Sequence, residues 1–206
     1  MMDVKKQWSA GARSRRRRLG AAYTAVEVLM SLAVLAVGVM GIIATEKVTL
    51  AANVHAKNLA IATHIAQSWL GVLDAEGALW GSDFGRTTWL QQGNGVSGWF
   101  RPAYSTTLAY GAGFDALGNA VTALDMANAT FCVDLRLAPL TTNNSGGGLI
   151  RSEVRVIWLR NDGALGEAGP TATNACSIAA VSVDSATNSP LFHFVYMAGG
   201  VRQVGL

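Results

Sequence analysis

Residues Arg15 to Ala44 read RRRRLGAAYTAVEVLMSLAVLAVGVMGIIA, and the reading of this stretch decides the fold. Four arginines precede an apolar run, and Glu27 stands near the front of that run. From Val28 to Ala44 no side chain is charged and Ser31 alone is polar. Counted back to Tyr23, the run reaches about the twenty residues a helix needs to cross a bilayer. Val, Leu and Ile in it contribute roughly −3 to −5 kcal/mol to insertion. An unpaired acid within the span costs roughly 2.5–3.5 kcal/mol, and less near its end. Insertion survives, but Glu27 cancels much of its driving force, so the carboxylate calls for a compensating partner.

Charge is divided unevenly along the 206 residues, whose net value is +3. Met1 to Ala22 carries seven basic side chains against Asp3, a net +6, and the remainder has nine against twelve, a net −3. The basic excess therefore lies wholly in the leader, and the rest offers no basic face to phosphates, which argues against nucleic-acid binding. Positive residues before the span orient the N-terminus toward the cytoplasm and export everything after Ala44. Cys132 and Cys176 both fall in the exported part, where oxidation is permitted. One disulfide between them is expected, contributing roughly 3–4 kcal/mol; two separate buried thiols are the alternative, and without nearby histidines a metal pair is disfavoured.

The helical pattern continues beyond the apolar run. Val48, Ala52, His55, Leu59, Ala62, Ala66, Trp69 and Leu73 recur in steps of three and four, with no proline between them. One helix over residues 23–73 is expected, lipophilic all round in residues 23–44 and amphipathic in residues 45–73. From Gly77 to Ala129 the sequence turns glycine-rich and aromatic, and its path is not readable. Trp80, Phe84, Trp89, Trp99, Phe100 and Tyr104 in this stretch are expected to pin it onto a small core, ahead of forming an adhesive surface.

Three later segments alternate as strands. Phe131, Val133, Leu135 and Leu137 share one side of the first, with Cys132, Asp134 and Arg136 on the other; Val154, Val156 and Trp158 share a side of the second, and Phe192, Phe194 and Tyr196 of the third. The connector TTNNSGGG suggests a hairpin. Such a sheet has one apolar face to cover, and the amphipathic back half of the helix is the expected cover. The fold class is thus α+β, a long N-terminal helix packed on a C-terminal antiparallel sheet.

The leader, the aromatic residue and threonine of Tyr23-Thr24-Ala25-Val26-Glu27-Val28, and the long apolar helix resemble the type IV pilin family. LMSLAVLAVGVMGI, from Leu29 to Ile42, looks like the glycine-containing helix start of the PilV-type minor pilins. The resemblance implies that a prepilin peptidase/N-methyltransferase cuts between Ala22 and Tyr23, discards residues 1–22 and methylates the amine of Tyr23. It implies that Glu27 then pairs with the N-terminal amine of a neighbouring subunit and sets the assembly register. Two positions depart from the family pattern: Ala22 replaces the usual glycine before the cut, and Ala25 replaces leucine or isoleucine. A cut after Gly20 would move Glu27 to seventh place.

The same resemblance implies a minor pilin held in the bacterial inner membrane, its domain of residues 74–206 in the periplasm, and then incorporated at or near the tip of an extracellular pilus. Its partners would be other minor pilins and the major pilin, contacted through the N-terminal helix. A type II secretion pseudopilin shares the same leader and helix, and an uncleaved bitopic membrane protein is the more distant alternative. Catalysis is not expected: His55 and His64 are nine apart and His193 is in a strand, with no nucleophile elbow, phosphate-binding loop or HExxH. Neither a metal nor a cofactor is expected.

Overall fold

The computed structural model describes residues 24–80, 84–141, 148–160, 174–185 and 188–203. The leader, Tyr23 and most of the connector between the first two long strands lie outside these. The chain divides into two compact units, Met1–Val48 and Thr49–Leu206. The element α1 (Ala25–Trp80) contributes to both.

Within the first unit the helix is apolar on every side from Val28 to Ala44, Ser31 apart. Val26, Leu29, Met30, Val34 and Met40 are all exposed. By length and composition α1 is able to cross a membrane, with a most apolar window of mean hydropathy 2.5, none of it buried. Such a surface left in water would be strongly unfavourable, since each buried large aliphatic side chain gains about 1.5–3 kcal/mol.

In the second unit a four-stranded antiparallel sheet runs in the order β1 (Gly113–Phe114), β2 (Phe131–Thr141), β3 (Leu149–Leu159), β4 (Phe192–Arg202). The three long strands fall where the alternation places them. Pairings such as Val133 with Val156 and Val156 with Val195 bring the apolar positions of adjacent strands side by side. One face of the sheet, built from Phe131, Val133, Leu135, Val154, Val156 and Trp158, packs on Ala62, Ile65, Ala66, Trp69 and Leu73 of the helix. The helical stripe is buried only from Ala62 onward, and Val48 and Leu59 remain exposed.

Three features depart from the sequence-based expectation. The helix continues past Leu73 to Trp80, because Leu73, Glu76 and Gly77 extend the buried stripe. Gly77 is not a terminator but a point of close approach: a β-carbon there would stand 2.7 Å from Val201 Cγ1 and 3.0 Å from the Arg202 carbonyl oxygen. Secondly, the sheet is covered on both faces. Phe192, Phe194 and Tyr196 do share a side, but it is the side opposite the helix; in β4 it is Val195, Met197 and Val201 that join the helix-facing core. Ala175, Val183 and Leu191 cover the second face around Cys132, Ile157 and Phe192. Thirdly, the stretch after Gly77 has structure: a one-turn helix α2 (Trp89–Gln92) and the short strand β1.

Candidate functional site

Glu27 lies in the first turn of α1, with its side chain exposed. Thr24 precedes the helix and organises that turn. Its hydroxyl accepts from the Glu27 N–H at 3.3 Å, and its carbonyl accepts from the N–H groups of Glu27 (3.0 Å) and Val28 (3.2 Å). Thr24-x-x-Glu27 is the pattern of a capping box, a local helix-start signal that sequence reasoning passed over. A carboxylate in the first turn also sits favourably against the positive end of the helix dipole. One turn on, the Ser31 hydroxyl donates to the Glu27 carbonyl at 2.8 Å, which satisfies the one polar side chain of the apolar run locally. Among the described residues no basic side chain pairs with Glu27. The expected cleavage and methylation positions, Ala22 and Tyr23, lie outside the described residues.

A second carboxylate, this one buried, escaped sequence reasoning. Glu76, 5% exposed, receives the N–H groups of Thr88 (2.6 Å), Trp89 (3.0 Å) and Leu90 (2.9 Å). Thr88 makes no side-chain cap of α2, so Glu76 supplies it from the long helix. This seats Trp89 in the core, edge-on to Trp69 with ring centres 5.0 Å apart, while its indole N–H donates to the Ala103 carbonyl at 3.2 Å. Phe100 exchanges both backbone hydrogen bonds with Leu135 at 2.8 Å. Trp80 packs against the same core. Trp80, Trp89 and Phe100 therefore hold this stretch against the core.

On the sheet's second face, Cys132 and Cys176 form a disulfide, with α-carbons 5.2 Å apart. Beside it lies a buried ionic cluster. Asp134 accepts from Arg155 at 2.7 Å and from Arg101 at 3.1 Å; Arg155 also reaches Asp184 at 2.7 Å and donates to the Ala180 carbonyl at 2.8 Å. Desolvation pulls the Arg155 guanidinium toward losing its proton, but the charges of Asp134 and Asp184 and their hydrogen bonds outweigh it and hold the proton more tightly than usual. Trp99 covers this guanidinium, its ring centre 4.4 Å away. Arg101 donates in addition to the Cys176 carbonyl at 2.6 Å. The cluster thus ties the segment around Cys176 and Asp184 to the sheet, and its acids serve as ion-pair partners.

Comparison of the chain with protein-family models, curated proteins and solved structures finds no match to any of them.

Proposed function

We propose that this chain is a pilin-like structural subunit, a minor pilin that primes or caps a type IV pilus after removal of its basic leader. The observation that carries the reading is Glu27: a carboxylate in the capped first turn of a helix whose succeeding apolar surface is exposed on all sides. An acid in hydrocarbon is tolerated when paired. Cleavage between Ala22 and Tyr23 would create a cationic amine four residues before Glu27, on every subunit. Pairing Glu27 of one copy with that amine of the next offsets the desolvation of both charges and fixes one axial register between helices. A wrong register leaves two charges unpaired.

The proposed division of labour rests on the two units. The apolar helix is held in the inner membrane before assembly and packs against other pilin helices afterwards. The sheet, stapled by its disulfide, is the exported body, and the role is structural without catalysis. Expression of Glu27→Ala in a piliated host lacking the parent gene tests the reading. The variant is expected in the membrane fraction at parental levels but absent from sheared fibres. Incorporation equal to the parent would contradict it.

A further inference from the structure

His55 of α1 and His193 of β4 face each other with ring centres 4.7 Å apart and planes inclined at 54°. Both belong to the second unit. They sit on Trp158, which is paired with His193 across the strands; its ring lies 5.3 Å from His193 and 6.3 Å from His55. Asn58, close to His55 along the helix, lines the same cavity of ≈ 310 Å³, with Val54 and Leu159 completing its wall. Trp158, only 3% exposed, gives the imidazoles a fixed backing.

We propose that His55 and His193, with Asn58 beside them, form a binding site for a late first-row divalent transition ion such as Cu²⁺, Ni²⁺ or Zn²⁺. Imidazole nitrogen binds such ions at about 2.0–2.1 Å, which puts each ring centre about 3.2 Å from the metal. Two rings on one ion then have centres roughly 4.5 Å apart at a right angle and about 5.2 Å apart at the tetrahedral angle. The observed 4.7 Å lies between these limits. The described lining of this cavity offers imidazole nitrogens and an amide oxygen, a set that suits copper, nickel or zinc and not calcium or magnesium. Both histidines are fixed on regular elements, a helix and a strand, so binding needs little reorganisation. Arg160 lines the adjoining groove with both histidines, and its charge holds the affinity below that of a three- or four-ligand site. Water or an anion from solution completes the coordination.

The test uses the untagged full chain in detergent, titrated with NiCl₂ and ZnCl₂ by calorimetry and with CuCl₂ by pulsed electron paramagnetic resonance. Expected are one saturable site per chain and a Cu²⁺ signal coupled to two imidazoles. His55→Phe and His193→Phe keep a ring against Trp158 but remove the nitrogens, and each is expected to weaken binding by about tenfold or more. His64→Ala serves as the control and leaves binding unchanged. Retention of the disulfide and of the unfolding midpoint certifies each variant as folded. No saturation up to about 1 mM metal, a single-imidazole Cu²⁺ signal, or binding lost with His64 instead would each overturn the proposal.

Discussion

Replacing Glu76 by alanine tests how the long helix organises the segment that comes after it. The carboxylate accepts three backbone N–H groups at 2.6–3.0 Å in a nearly dry setting, and Trp89 and Leu90, two of the three donors' residues, are fully buried. A hydrogen bond to a charged group contributes about 1.5–3 kcal/mol, and a buried donor left alone costs about 1–3 kcal/mol. The three donors do not lose their partners independently, because water enters part of the space that the truncated side chain vacates. A loss of about 3–5 kcal/mol is therefore expected for Glu76→Ala. Glu76→Gln keeps an acceptor oxygen but sets an amide N–H₂ against the same donors, and about half that loss is expected. Urea unfolding of the disulfide-intact chain in detergent, monitored by tryptophan fluorescence, reads both values. A Glu76→Ala variant within about 1 kcal/mol of the parent would refute the reasoning, because the cap would then be one that solvent replaces at little cost.

The second face of the sheet supports two further predictions, and an exposed turn a third. Cys132→Ser with Cys176→Ser opens a link across a sequence separation of 44 residues and should lower stability by about 4 kcal/mol, read as a shifted unfolding midpoint. Asp134→Ala strands the fully buried Arg155 with only the half-exposed Asp184 as a carboxylate partner and should cost about 3–5 kcal/mol; adding Arg155→Met should recover much of that loss in the double variant. In the turn, the Asn119 side chain and backbone N–H donate to the Asp115 carboxylate and hold its pKa below the usual 3.8. Because the folded value is the lower one, its contribution to stability is present above the unfolded pKa and fades as pH falls through the folded pKa. Carboxyl-carbon NMR titration should show that depression, and Asn119→Ala should return the midpoint toward 3.8.

Legibility varied with the range of the interactions concerned. Val133 and Leu135 in β2, and Val154 and Val156 in β3, declare their common face through simple alternation, because neighbouring strands bury the same period-two pattern. Phe192, Phe194 and Tyr196 obey the same rule, yet alternation says which residues share a side and not what covers it. The cover is the segment around Cys176 and Val183, brought there by the disulfide and by Arg155. The stretch after Gly77 resisted reading for a different reason. Its order comes from long-range contacts, Glu76 onto α2 and Phe100 onto Leu135, and not from local periodicity. The Thr24-x-x-Glu27 pattern at the helix start, by contrast, is fully local and open to reading. His55 and His193 are 138 positions apart, and no spacing rule joins them before the sheet is folded onto the helix.

Mass spectrometry of the chain purified from its native membrane or fibre probes the role of Glu27 most directly. The expected product begins at Tyr23 and carries one methyl group on its terminal nitrogen. A chain that still starts at Met1 would deny Glu27 its cationic partner and would contradict the proposed assembly.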